Sequence, residues 1–166
     1  MSYVYIGKIV NTHGLKGEVR LLSNFKYKSR VFIPSTTIFI GKNKVSETIT
    51  TYRKHKQFDM ICLKGYNDIN EVLKYKGERV YVTRDTLNLK EDEYLDADLI
   101  GLDVLVDDKV IGKVNKVDKY PSSDIILVKG QTKNYMIPYV KDFIKEINLT
   151  KKVIIINNIK GLIEWP

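Results

Sequence analysis

A single cysteine, Cys62, stands in a chain of 166 residues. No disulfide can form within the chain, so packing must hold the fold, as suits a reducing cytoplasm. Long apolar runs are missing too. The longest uncharged stretch, Val31 to Gly41, includes Pro34 and three hydroxyl residues. A membrane-spanning helix needs roughly 20 apolar residues, so no membrane segment is expected. Met1 to Val10 alternates apolar and polar residues and carries Lys8. Without a basic lead, an apolar stretch and a small-residue cleavage site, no signal peptide is expected. The expected location is the cytoplasm.

Catalytic motifs are scarce as well. There is no G-x-x-x-x-G-K-S/T loop to cradle a triphosphate, and no G-x-G-x-x-G after a strand. Only His13, His55 and Cys62 offer soft or borderline metal ligands, and no pair has zinc-site spacing. Cys62 sits in Met60-Ile61-Cys62-Leu63, which reads as a buried strand where a thiol is inert. The sequence therefore predicts no cofactor, no metal and no catalytic residue.

What is present is an ordinary globular composition, 43% hydrophobic and 29% charged. A chain of this length buries about 65–70% of its unfolded surface, enough for a real core. The net charge of +8 and the pI near 9.4 point to a polyanion partner. Of the 28 basic residues 23 are Lys. Abundant Lys, Asn, Ile and Tyr fit an AT-rich genome, so codon bias supplies part of the basicity. The charge is also uneven. Residues 1–88 hold 16 basic and 7 acidic residues, a net of +9, whereas residues 89–166 hold 12 and 13, a net of −1. The two halves should meet different partners. The sign changes at Glu91-Asp92-Glu93-Tyr94-Leu95-Asp96-Ala97-Asp98. We read residues 1–88 as one domain, 89–98 as an acidic linker and mouth, and 99–166 as a second domain.

Both halves read as strands. In the first, period-two patterns rich in β-branched and aromatic residues cover 3–10, 18–22, 37–40, 45–52, 57–63 and 79–83. One short helix interrupts them. Asp68 can cap it, Glu71 lies three residues on, Ile69, Val72 and Leu73 share a face, and Gly77 can stop it. In the second half, strands are expected at 102–106, 110–117, 124–128, 135–137, 153–156 and 162–164, with Asp107-Asp108-Lys109 as a hairpin turn. Pro138 can open a helix in which Val140, Phe143, Ile144 and Ile147 fall at helical spacing. Six short strands per half predict an all-β protein of two small β-barrels, which also removes exposed edges.

Three segments are candidates for binding. Gly14-Leu15-Lys16-Gly17 is a tight turn that requires positive φ at one glycine or both. It displays His13, Lys16 and Arg20 near one end of the first barrel, toward RNA phosphate. Its alternative is a hairpin whose polar residues are merely solvated. Arg53-Lys54-His55-Lys56 lies between two strands, and Lys26-Tyr27-Lys28-Ser29-Arg30 interleaves charge with an aromatic. Such loops can track a backbone and stack a base, or simply face water. The third is Tyr94-Leu95, an apolar pair among carboxylates. If exposed, it is a sticky point for a basic protein; otherwise it packs inside. Asp98 is expected to brace a turn near it.

The stretch Gly7-x-Ile9-x-x-x-His13-Gly14-Leu15-Lys16-Gly17-Glu18-Val19 resembles the opening of the RimM family of ribosome maturation factors. Later pieces agree in order: Glu93-Tyr94, Asp98-Leu99-Ile100-Gly101, Gly112-x-Val114, Asp124 to Val128, Ile137-Pro138-Tyr139 and Gly161-Leu162-Ile163-Glu164. The resemblance spans nearly the whole chain. It implies a six-stranded N-terminal barrel like those of translation factors and a C-terminal PRC-barrel. It also implies a monomeric, non-enzymatic assembly factor of the small (30S) ribosomal subunit. Its partners would be a basic head protein of the S-nineteen family and small-subunit rRNA, with a role in head maturation and 16S rRNA processing. The pair of aromatics typical of the family stands here as Tyr94-Leu95, and the family's usual Asp is Asn148. By that resemblance Tyr94, Leu95 and Asp98 are the protein-partner contacts. The RNA contacts expected from the basic loops are His13, Lys16, Arg20, Arg53, Lys54 and Lys56. Two rivals remain at this stage: an RNA-binding module without a ribosomal protein partner, and an RNA-processing enzyme.

Overall fold

The computed structural model describes residues 2–158 and 163–165. The chain falls into two compact units, Met1–Asp92 and Glu93–Pro166.

The first unit contains β1 (Tyr3–His13), β2 (Glu18–Leu22), β3 (Thr37–Ile40), β4 (Val45–His55), β5 (Phe58–Leu63) and β6 (Arg79–Thr83). They close into an antiparallel barrel in the order β1-β2-β5-β4-β3-β6, so the expected six-stranded barrel is present. Alternation builds it. Ile6 and Ile9 of β1, Val19 and Leu21 of β2, Ile38 and Ile40 of β3, and Val80 and Val82 of β6 are all buried, while their neighbours point outward. Each such side chain contributes about 1.5–3 kcal/mol through burial. β1 serves both β2 and β6, and its register shifts between Tyr5 and Gly7 on one side and between Ile9 and Asn11 on the other. Such bulges bend a long strand sharply enough to close a small barrel.

Among its described residues the first unit also has three short helices, α1 (Lys28–Val31), α2 (Ile69–Val72) and α3 (Arg84–Leu87). The α2 start is as expected. Asp68 accepts from the Asn70 N–H at 2.8 Å, and Glu71 accepts from the Asn67 N–H at 3.1 Å. The shared apolar face is only partly as expected. After Val72 the chain tightens into a 3-10 turn, Leu73–Tyr75, which turns Leu73 out and buries Tyr75 instead. Gly77, at φ +85°, ends the segment.

The second unit has α4 (Asp96–Leu99), β7 (Asp103–Val106), β8 (Lys109–Lys119), β9 (Asp124–Lys129), β10 (Asn134–Pro138), β11 (Ile144–Asn148), β12 (Val153–Ile156) and β13 (Ile163–Trp165). They form one sheet in the order β11-β12-β7-β8-β9-β10-β13. Among the described residues, only β12 and β7 run parallel. Leu102, Val104, Val114, Ile126, Val128, Ile137, Ile154 and Ile156 meet in a single cluster with Leu99. Because one core draws on five strands, the sheet curls around it. Asp107 and Asp108 both have positive φ, the signature of a two-residue type I′ hairpin, as the sequence predicts. Of the strand expected at 162–164, Leu162 lies outside the described residues.

One expected element is wrong. No helix follows Pro138, which ends β10, and Ile144–Asn148 is a strand paired with β12. The cause is a bulge between Ile144 and Glu146. The extra residue lets Ile144 and Ile147, three apart, both pack against the core. A strand with one residue inserted thus mimics helical spacing.

Candidate functional site

Neighbouring strands carry the candidate residues onto one outward face of the barrel. His13 of β1 pairs with Glu18 of β2, Arg20 of β2 and Arg53 of β4 both flank Met60 of β5, and His55 pairs with Phe58. Side chains on this face interlock. The Arg20 guanidinium lies over the Phe58 ring, 4.8 Å from its centre, and its Nη2 donates to His13 Nδ1 at 2.8 Å. The His13 and His55 rings are 5.8 Å apart and tilted by 39°. Arg53 grips Glu18 with two hydrogen bonds, from Nε at 2.8 Å and Nη2 at 2.7 Å. That grip holds the Glu18 carboxyl below its ordinary range, against the opposing effect of burial. Burial, and then the charges of Arg53, Lys56, His13 and Arg20, push the His55 imidazole below its ordinary range. The buried Nε of Arg20 has no hydrogen-bond partner among the described residues.

The structure therefore joins His13, Arg20 and Arg53, and adds His55, Phe58 and Glu18 to them. Arg53, Lys54 and His55 are not in a loop, as the sequence suggested. They extend β4, and the turn that follows holds Lys56 in left-handed backbone at φ +55°. Strand alternation sends Lys54 to the other side, 3.7 Å from Asp59 Oδ1.

Asp59 went unnoticed in the sequence. It is fully buried and receives Lys28 Nζ at 2.8 Å and the Tyr52 hydroxyl at 2.6 Å. Burial, followed by that hydrogen bond, pushes the Tyr52 phenol up to about 12. The cluster ties α1 to β4 and β5. Lys28, read from sequence as part of a solvated or RNA-tracking loop, is thus a structural cation.

Lys16 stands exposed on the β1–β2 turn beside Leu15, which is 83% exposed. Gly14 and Gly17 both have positive φ, +75° and +88°. At Gly17 an added Cβ would lie 3.0 Å from the Asp68 carbonyl oxygen, while at Gly14 nothing is within 4 Å. The turn is also tied to α2 by the Ile69 N–H donating to the Leu15 carbonyl at 3.0 Å. Gly14→Ala should cost about 1–2 kcal/mol from the left-handed backbone alone. Gly17→Ala should cost clearly more, because the methyl also meets backbone that α2 holds in place. Thermal melts of the two variants check this; equal losses would mean that α2 yields freely.

In the second unit the apolar pair is not the exposed point expected from its carboxylate neighbours. Leu95 is only 7% exposed. Tyr94 is half-buried against the core cluster, and its hydroxyl donates to the Ile147 carbonyl at 3.3 Å. Asp98 braces the turn: its carboxylate accepts from the Leu95 N–H at 2.9 Å, and its own N–H donates back to the Leu95 carbonyl at 2.9 Å. The turn sends Leu95 inward while Glu91 and Asp92 stay exposed. Asp96 and Asp124 both hold Lys119, at 2.7 and 2.9 Å. Burial opposes the Lys119 charge, but these two hydrogen bonds outweigh it and keep the ammonium above its ordinary range.

Among the described residues no three His, Cys, Asp or Glu side chains converge as a metal site, and no helix is long and apolar enough to cross a membrane.

Comparison with known proteins finds two family models, the RimM N-terminal domain over residues 4–87 and the RimM PRC barrel domain over residues 96–162. A ribosome maturation factor RimM from an Exiguobacterium species is 37% identical over 169 residues, covering 99% of this chain and 98% of that protein. Its counterpart from Staphylococcus haemolyticus is 39% identical over 166 residues, covering 97% and 99%. The solution structure of the N-terminal domain of RimM from Thermus thermophilus aligns with a TM-score of 0.45 at 20% identity, over 52% of this chain and 95% of that one. Two matching domain models in order, and relatives at this identity along almost the whole length, establish that the chain belongs to the RimM family of ribosome maturation factors.

Proposed function

We propose that the chain is a binding factor of the cytoplasm that assists maturation of the small ribosomal subunit and processing of its 16S rRNA without catalysis. It acts as a monomer. The names of its relatives support the ribosomal role. The observation that carries the mode of action is the outward face of β1, β2, β5 and β4, where Arg20, Arg53 and His55 lie together between the exposed Lys16 and Lys56. Flat cations and lysines at this spacing meet RNA phosphates. The second unit would engage a basic head protein of the S-nineteen family through Tyr94, with Leu95 buried and Asp98 bracing the turn. A factor of this kind favours one conformation of the immature head only by binding it more tightly than the alternatives.

The basic residues do not contribute equally. The Arg53 charge is largely answered by Glu18, and Lys54 lies beside Asp59. Lys16 and Lys56 therefore supply most of the adjustable attraction. Binding of the full chain to immature subunits, titrated with salt, tests this. Each neutralised phosphate contributes about −0.7 to −0.9 to the log–log slope. Lys16→Gln with Lys56→Asn, the latter chosen because Asn tolerates left-handed backbone, should flatten the slope by about 1.4–1.8 at an unchanged melting temperature. An unchanged slope removes this face from the interface. Cleavage of precursor RNA by the purified chain, abolished by His13→Ala, would overturn the non-catalytic reading.

A further inference from the structure

The opposite strands of the barrel carry a second surface that the basic face does not use. Tyr5 of β1, Tyr81 of β6 and Phe39 of β3 lie in one register line across three strands, and Tyr3 stands beside them. The rings meet edge to face: Tyr3 with Phe39 at 5.2 Å, Tyr3 with Tyr81 at 6.5 Å and Tyr5 with Tyr81 at 5.9 Å. Tyr3 is 39% and Tyr5 48% exposed. Cations ride on the rings. Lys44 Nζ is 4.3 Å from the Tyr81 centre and 5.6 Å from that of Tyr3, and the Arg79 guanidinium is 5.8 Å from that of Tyr5. The exposed Lys8 pairs with Arg79 across the strands. β1, β6 and β3 contain not one Asp or Glu.

We propose that this face is a platform on which unpaired bases of single-stranded RNA stack, with Lys8, Lys44 and Arg79 taking the adjoining phosphates. Packing of the barrel explains the inward residues of these strands but not four rings on the outward side. Tyr3 and Tyr5 remain exposed beside these contacts, and every base offers a flat partner for an exposed ring. The charge is of the sign that a phosphate chain requires. The strand partners of the outer rings are polar rather than aliphatic: Ser46 pairs with Phe39, and Thr83 with Tyr3. The proposal rests on the reading of the chain as an RNA-contacting factor and adds that contact is made through bases as well as phosphates.

The test compares two labelled probes of equal length and charge, a short oligoadenylate and its abasic analogue, binding to the full chain. Stacking on an aromatic side chain corresponds to about a tenfold gain or more per base. The wild type should therefore prefer the base-bearing strand at least about tenfold, and Tyr5→Thr, which keeps a strand-forming residue, should lose most of that preference. Tyr5→Phe should retain it. Equal affinity of the wild type for both probes overturns the proposal, as does an undiminished preference in a folded Tyr5→Thr variant. Polyglutamate bound as tightly as oligoadenylate, and equally by Tyr5→Thr, would also overturn it and assign the face to an acidic protein. None of these failures touches the broader reading, which fails instead if the wild-type chain does not bind immature subunits.

Discussion

Lys28→Met is expected to destabilise the N-terminal barrel by about 3 kcal/mol, the low end of what removing one partner of a buried ion pair costs. The melting temperature should fall on the order of 10 °C. The asymmetry of the cluster makes Lys28 the sensitive member. Asp59 is fully buried, whereas the Lys28 side chain keeps 28% of its exposure. Deleting Lys28 strands a carboxylate with only the Tyr52 hydroxyl and a distant Lys54 Nζ at 3.7 Å. Deleting Asp59 instead leaves lysines that water can reach. Asp59→Asn should accordingly cost less than Lys28→Met, and the double variant should recover a substantial part of the loss, because no buried charge remains uncompensated. Thermal or denaturant melts of the three variants form a double-mutant cycle. A loss below about 1 kcal/mol for Lys28→Met, well under the buried-pair range, would show that Asp59 is solvated by other means.

Much of the fold was legible because alternation and turn chemistry agree. The bounds of β2, β3 and β6 follow from period-two runs with a glycine at or near one end, and those of β12 from a short apolar run between Lys151-Lys152 and Asn157-Asn158. Where the two disagree, reading fails for identifiable reasons. The bulge in β11 shifts Ile147 onto the face of Ile144 and imitates a helix. Val72-Leu73 misleads because a 3-10 turn rotates Leu73 outward, which residue type does not announce. His13 and Arg20 were candidates at one turn and Arg53 in a separate basic cluster, but their partners were invisible. Glu18 lies 35 residues before Arg53 in sequence, and only the strand order β1-β2-β5-β4 brings them together. Asp59 likewise lies 31 residues after Lys28. Charge counting in sequence treats Arg53 and Lys54 as available to RNA. Pairing in three dimensions answers both charges, with Glu18 and Asp59, and under the proposed function the role passes to Lys16 and Lys56. The aromatic face was missed for the same reason, since Tyr5, Phe39 and Tyr81 are each unremarkable within their own strands.

Tyr94→Ala and Leu95→Ala should separate cleanly, although they are adjacent in sequence. Carboxylates around the pair suggested that both side chains stay near water, since desolvating so many charges is costly. The chain resolves the conflict by alternating. Asp98 ties back to the Leu95 N–H, which fixes Leu95 inward and leaves the acids at the surface. Leu95→Ala is then a core truncation, expected to cost about 2–4 kcal/mol of stability in the second unit. Any loss of partner binding should follow from that instability, and Leu95→Met should restore both. Tyr94 is different. It is only half-buried, and a hydrogen bond to the Ile147 carbonyl helps orient it. A tyrosine held in place close in sequence to Glu93, Asp96 and Asp98 is suited to anchor a basic protein that those carboxylates steer. Under the proposed function, Tyr94→Ala should weaken binding of the head protein by about 2 kcal/mol or more, roughly thirtyfold, while circular dichroism shows the sheet intact. Tyr94→Phe, which loses the bond to Ile147, should lie between the wild type and Tyr94→Ala. Isothermal titration against the purified head protein, with melts run in parallel, measures both quantities. Normal binding by a folded Tyr94→Ala variant would place the protein contact elsewhere on the second unit.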